Sequence, residues 1–299
     1  MNGVLVIDKP MGFTSFDVIA VVRKLTGQRK TGHTGTLDPN ATGVLPVLLG
    51  NATKAQDLLP DHTKAYTAGF RFGLKTDTLD VWGKTLATAP SAFSREQIDA
   101  ALAPFRGDIL QTPPMYSAVK KDGKRLYDLA RQGVEVERAA RPVRIDQLKL
   151  LSFDSEAQTG TLKIICSRGT YVRSLIDDLA SSLGSCAVMT SLRRTAACGF
   201  TPEDCLTLEQ LRGMAENGTI AASLRPTDSL FAVYPSLTLS PAQAKRFANG
   251  GAIDIARTPL RDSGMPDGTI VRMYGGAEFL GLSAVRECQL RIYKLFPTF

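Results

Sequence analysis

The apolar stretches of this chain are short, and their period changes along the sequence without regular order. Gly3 to Lys9 reads as a buried strand ending at Pro10 and Gly12. Thr14 or Ser15 caps a helix to about Leu25, with Val18, Ile19, Val22 and Leu25 on one face. Strands are predicted over Val44–Leu49, Ala65–Phe72, Met115–Val119, Val143–Leu151 and Thr161–Ser167. Helices are predicted over Ser94–Phe105, opened by Ser94 and Gln97 as a capping box, over Tyr171–Leu183, and from Thr207 and Gln210 to about Gly218. A doubly wound parallel sheet requires steady strand–helix alternation, which is missing. The pattern predicts an α+β fold, with a central mixed and mostly antiparallel sheet flanked by helices and loops.

The length allows one main domain and a smaller one. Ser223 to Ser236, with Pro226 and Pro235, reads as a connector, giving a main domain over 1–235. Residues 236–299 are Gly-rich, with short β-prone stretches at Gly268–Tyr274, Ala277–Leu282 and Gln289–Leu295. They predict a small β-rich module.

Lys and Arg number 36 against 29 Asp and Glu, a net charge of +7. Such a field favours a polyanionic partner. The excess is concentrated: residues 120–149 hold nine basic and five acidic side chains, with Tyr127 among them and Tyr116 just before. Basic groups neutralise phosphates and aromatic rings stack on exposed bases. A solvated helix-and-loop face is the ordinary fate of such a run. The neighbouring Pro113-Pro114 and Gly133 predict a protruding element instead. Lys120, Lys124, Arg125 and Arg144 are its candidate RNA-binding residues.

Other classes lose support. The five cysteines have no CxxC spacing, and there are two histidines. Neither a structural zinc site nor a disulfide framework is expected, and no metal ligand is assigned. No secretory signal or apolar run of about 18 residues is found, so the expected location is cytoplasmic. P-loop, dinucleotide-binding, HExxH and GxSxG motifs are missing. No cofactor is expected, and any chemistry falls to carboxylate, Tyr and Arg side chains.

The most unusual stretch is Gly32-His33-Thr34-Gly35-Thr36-Leu37-Asp38-Pro39, followed by Ala41-Thr42-Gly43. Glycines allow a ligand close to the backbone, and Pro39 holds Asp38 extended. Asp38 is therefore expected at a fixed angle on a stiff turn. A turn in which Asp38 only bonds its own backbone explains the same residues.

The whole stretch GHTGTLDPNATG resembles the catalytic motif of the TruB family of tRNA pseudouridine-55 synthases. Further motifs of that family follow its order. Asp8-Lys9-Pro10-x-Gly12-x-Thr14-Ser15 resembles the opening motif. Lys64-Ala65-Tyr66, then Phe72-Gly73 and Thr76-Asp77-Thr78-x-Asp80-x-x-Gly83, resembles the second. Pro113-Pro114-x-Tyr116-Ser117-Ala118-x-Lys120 and Gly123-x-Arg125-x-Tyr127 resemble the third. Cys166-Ser167-x-Gly169-Thr170-Tyr171-Val172-Arg173-Ser174-Leu175 and Leu192-Arg193-Arg194-Thr195 resemble the last two. Together they span about residues 3 to 200. After Pro235 the match weakens to a loose likeness to a PUA module.

The resemblance implies a pseudouridine-synthase fold and isomerisation of the tRNA T-loop uridine at position 55. Asp38 maps onto the catalytic aspartate, Arg173 onto its cationic partner and Tyr66 onto the platform stacking on the flipped base. His33, Tyr171 and Leu192 map onto residues around that nucleotide. Lys9, in the opening motif, is placed with the RNA-binding residues. The segment around 116–149 resembles an RNA-gripping thumb. A carboxylate can attack base or sugar, or remove a sugar proton, and the residues do not choose among these. The partner expected is tRNA, bound by a monomer with the target base flipped out and no guide RNA. A non-catalytic RNA-binding protein and a nucleoside hydrolase are the competing classes.

Overall fold

Gly3–Lys9 forms β1, with six of its seven residues buried. In this computed structural model, which describes residues 1–296, a capping box at Thr14 starts α1 (Ser15–Thr26). The Thr14 hydroxyl accepts the Asp17 N–H, and the Asp17 carboxylate accepts the Thr14 N–H. The box satisfies donors that the first helical turn leaves free. β2 (Thr31–His33), β3 (Thr42–Leu49) and β4 (Lys64–Phe72) follow, then a small pair, β5 (Leu74–Thr76) and β6 (Thr85–Thr88). α2 (Arg95–Ala101) has the expected Ser94–Gln97 box and leads to β7 (Gly107–Gln111).

The basic arm carries a hairpin, β8 (Lys120–Lys121) and β9 (Lys124–Arg125), then α3 (Leu126–Arg131). Its two-residue turn is Asp122-Gly123, both at positive φ, the pairing that suits a tight hairpin. β10 (Arg141–Asp154), β11 (Thr159–Cys166), α4 (Val172–Ser182), β12 (Ala187–Ala197) and α5 (Leu208–Glu216) complete the larger unit.

The main sheet runs β1-β3-β12-β4-β11-β10-β7, with β2 beside β3. Only the β12–β3 contact is parallel, so the sheet is mixed and mostly antiparallel. The parallel contact is short, joining Arg193 and Arg194 to Thr42 and Gly43. Gly43 has φ of 102°, and a Cβ there would lie 2.2 Å from the Arg194 carbonyl oxygen. Only glycine permits both. Apolar side chains fill the sheet's faces: Phe70, Leu162, Ile164, Leu175 and Leu179 in one cluster, Leu5, Ile7, Val18, Val22 and Leu45 in another.

Residues 236–296 form a second sheet and one helix: β13 (Ser236–Leu239), α6 (Pro241–Ala248), β14 (Ile253–Asp254), β15 (Ile270–Gly275), β16 (Glu278–Arg286) and β17 (Gln289–Leu295). The order is β13-β15-β16-β17-β14. A shared cluster of Val4, Val6, Leu48, Phe231, Leu282 and Phe296 welds this β-rich module to the first strand of the main sheet. None of the described helices is long and apolar enough to cross a membrane.

One sequence expectation fails locally, and one strand was not anticipated. Met115–Val119 is not a strand. The Tyr116 carbonyl there accepts from Arg173, so that acceptor serves a side chain instead of a ladder. β12, unassigned in the sequence reading, occupies the centre of the sheet.

Candidate active site

Asp38 stands on the loop between β2 and β3, and its neighbours fix it. The Ala41 N–H donates to the Asp38 carbonyl at 3.1 Å and closes the turn. Ser15 is buried, and its hydroxyl accepts the Leu37 N–H at 2.9 Å and donates back to the Leu37 carbonyl at 3.3 Å. Leu37 and Ala41 themselves are sunk in the core. The backbone is thus immobilised on both sides while the Asp38 side chain keeps 40% of its surface open.

Lys9 is the third anchor, and here the structure corrects the sequence reading. Lys9 has no exposed surface. Its ammonium donates to the carbonyls of Pro10, Phe13 and Pro39, so it braces the loop and cannot meet a phosphate. Burial lowers its pKa to about 8, although the Asp38 charge pulls the other way.

Arg173 reaches the same point from the first turn of α4. It is buried, and its Nη2 lies 3.0 Å from Asp38 Oδ2. Nη1 donates to the Thr78 carbonyl at 2.7 Å and Nη2 to the Tyr116 carbonyl at 2.9 Å. One planar guanidinium therefore ties the carboxylate to two other loops. Its helix is clamped by Gln111, whose amide accepts the Tyr171 N–H at 2.7 Å and donates to the Tyr171 carbonyl at 3.0 Å. Gln111 was not singled out from the sequence; nothing about an isolated Gln on a strand marks it as an anchor.

Asp38 and Arg173 lie in a cleft of about 750 Å³. Its basic lining is Arg23, Lys120, Arg125, Arg131 and Arg173, against two carboxylates, Asp38 and Asp80. The field in the cleft therefore favours a polyanion. Asp80 was quoted only as part of a motif. It lines the cleft, and its Oδ1 accepts from the Thr78 hydroxyl at 2.6 Å and the Trp82 N–H at 3.1 Å.

The remaining candidates divide. His33 lines the cleft, edge-on to Phe16 with ring centroids 5.8 Å apart. Burial and the nearby Arg194 charge both lower its pKa, favouring the neutral imidazole. Tyr66 is buried in the core cluster that holds Leu37 and Ala41 and is not part of the cleft lining. Burial pushes its phenol up to about 12, with Arg194 pulling downward, so it is no base near neutral pH. Tyr171 and Leu192 are half-buried, Leu192 against the same core.

Lys120 and Arg125 line the cleft, whereas Lys124 lines an adjoining hollow of the hairpin. The Tyr127 ring is flanked by the guanidinium groups of Arg125 and Arg131, at 5.6 and 5.4 Å from its centroid. Arg144 is elsewhere, paired with Asp108 at 3.0 Å and Asp146 at 2.8 Å. A phosphate there would have to displace two carboxylates.

Arg194, quoted only within a motif, is fully buried. Its Nε donates to the Val44 carbonyl at 2.7 Å and its Nη2 to the Gly35 carbonyl at 3.1 Å, pinning the glycine end of the loop to β3.

Comparison with known proteins finds relatives along nearly the whole chain. Residues 23–172 match the family model described as TruB family pseudouridylate synthase, N terminal domain. Residues 173–232 match that of the tRNA pseudouridylate synthase B C-terminal domain. The tRNA pseudouridine synthase B of Ralstonia nicotianae is 43% identical over 303 residues, covering 99% of this chain and 94% of the relative. That of Escherichia coli O9:H4 is 42% identical over 298 residues, covering 96% and 92%. A solved Cbf5-Nop10-Gar1 complex holds a chain with a TM-score of 0.73 at 24% identity, covering 99% of this chain and 85% of that one, a likeness of fold. An acidic loop residue gripped by a buried arginine, five family motifs in order and this similarity along nearly the whole length lead to one conclusion: the chain belongs to the TruB family of pseudouridylate synthases.

Proposed function

We propose that this protein isomerises a uridine of tRNA, the T-loop residue at position 55, to pseudouridine, with Asp38 as the catalytic carboxylate. The single observation that carries the reading is the Arg173–Asp38 contact of 3.0 Å within a basic cleft of nucleotide size. In the reaction the bond from the ribose C1′ to N1 breaks and one from C1′ to C5 forms. The C5 hydrogen leaves as a proton and N1 gains one, so atoms balance without an oxidant or energy source.

The target base sits stacked in the folded RNA and must be everted, at a cost of a few kcal/mol. Arg23, Lys120, Arg125 and Arg131 would hold the phosphates around the cleft while the base enters toward Asp38. Asp38 then acts as nucleophile or base, its angle set by Arg173 and by the braced loop. Tyr66, protonated and buried in the same core cluster as Leu37 and Ala41, would support this geometry from the core side. His33, Tyr171 and Leu192 would surround the everted nucleotide. The protein acts alone, as a monomer without guide RNA. The division into a catalytic domain over 1–235 and an RNA-binding module over 236–299 belongs to the same reading.

Purified protein with an unmodified tRNA transcript labelled with tritium at uridine C5 tests this. The expected result is tritium release and pseudouridine mapped to position 55, with RNA mass otherwise unchanged. Free uracil and an abasic site would identify a hydrolase, and binding without release a non-catalytic RNA-binding protein.

A further inference from the structure

Two large aromatic side chains at the cleft remain unused by this reading. Phe16 keeps 64% of its surface exposed and Trp82 45%, and both line the cleft that holds Asp38. Exposed apolar groups scattered singly need no explanation; two in one basic cleft do.

Both are held by the machinery of the site. Phe16 follows Ser15, whose hydroxyl is bonded in both directions to Leu37, so the first turn of α1 is fastened to the Asp38 loop. Among the described residues its one ring neighbour is His33. Trp82 rides the turn after Asp80, and its N–H donates to the Asp80 carboxylate. No ring among the described residues packs on its indole. The same cleft presents Arg23, Lys120, Arg125 and Arg131. Aromatic surfaces beside cationic side chains are the arrangement that holds single-stranded nucleic acid, rings under bases and cations on phosphates. Eversion of one nucleotide also strips stacking partners from its neighbours, and exposed rings beside the pocket can replace them.

We propose that Phe16 and Trp82 are stacking platforms for the unpaired bases flanking the everted nucleotide, so that part of the RNA's lost stacking is restored by the protein. The inference rests on the cleft being the RNA site.

Trp82 is the only tryptophan of the chain, so its emission reports on this position alone. The full chain carrying Asp38→Asn, which prevents turnover, is titrated with a stem-loop RNA of the T-arm and with a fully paired duplex of equal length. The expected result is saturable quenching by the stem-loop and none by the duplex. Phe16→Ala and Trp82→Ala are each expected to weaken stem-loop binding roughly 5- to 100-fold, with Phe16→Tyr and Trp82→Phe restoring most of it. Equal quenching by the duplex, or stem-loop binding without quenching, overturns the proposal. So do alanine variants that bind as tightly as their parent. If an alanine variant melts early, the quenching result and the conservative variants decide. A wild-type protein that modifies tRNA while these tests fail sinks the stacking role alone; one that modifies no tRNA sinks the functional reading and this inference with it.

Discussion

Arg173 Nη2 approaches Asp38 Oδ2 to 3.0 Å while also donating to the Tyr116 carbonyl, so one nitrogen joins the carboxylate to the base of the basic arm. Asp38→Asn keeps the size of the side chain and removes its charge and basicity. It should lower kcat by at least about 10³-fold while leaving tRNA affinity within a few-fold, since little binding surface changes. Single-turnover tritium release and filter binding check the two halves.

Arg173→Lys should be nearly as damaging. An ammonium on a flexible stem cannot serve the Thr78 carbonyl, the Tyr116 carbonyl and Asp38 together in the planar geometry seen here. A buried carbonyl left without its donor costs about 1–3 kcal/mol. The expectation is a fall in kcat of roughly 10²-fold together with a lowered Tm. A variant with wild-type Tm and kcat would count against the three-way contact.

Gly43→Ala tests the joint between β3 and β12. The added methyl would meet the Arg194 carbonyl at 2.2 Å with φ at 102°, and nothing flexible can yield there. A destabilisation of at least about 3 kcal/mol is expected, read as a lower denaturation midpoint or as insoluble protein.

Lys9 gives a pH dependence with a definite sign. Burial brings its pKa to about 8 from an ordinary 10.5. Above pH 8 the ammonium loses one of its three N–H donors, and one of the three carbonyls it braces goes unserved. The unfolded chain keeps that proton until about 10.5, so between the two values deprotonation of this group alone favours the folded state. Activity should therefore fall several-fold on going from about pH 7.5 to about pH 9.5 with no matching fall in Tm from this group. A flat rate profile across that window would remove Lys9 from the loop's support.

The basic arm should act through phosphates. Replacing Lys120, Lys124 and Arg125 with Gln should weaken tRNA binding and reduce the slope of log K against log salt by roughly 2 to 3. Arg144→Gln should do neither, because that guanidinium is already engaged by Asp108 and Asp146. Equal effects from both variants would mean that the arm does not mark the binding face.

Most of the elements that carry the site were legible because their signals are local. Thr14 and Asp17 cap α1, Thr207 and Gln210 cap α5, and the apolar run before Leu49 is a strand wherever it is placed. Asp38 and Arg173 could be paired only through the family motifs, since no local rule brings them together. What was missed depends on long-range burial. β12 carries Arg193 and Arg194 in sequence, which reads as surface, yet Arg194 is fully buried because two backbone carbonyls accept its protons. Lys9 escaped for the same reason: a lysine is assigned to solvent until three carbonyls are seen to surround it. The capping box of α6, Ser240 with Gln243, was legible and overlooked.

The parallel joint between β3 and β12 has a bearing on biosynthesis. Arg194 supports Gly35 and Val44, and it leaves the ribosome long after them. A growing polypeptide that has emerged only as far as the Asp38 loop already holds the Ser15 and Lys9 braces but neither Arg173 nor Arg194. The full set of contacts around that loop therefore forms only once roughly two-thirds of the chain is free to close the sheet.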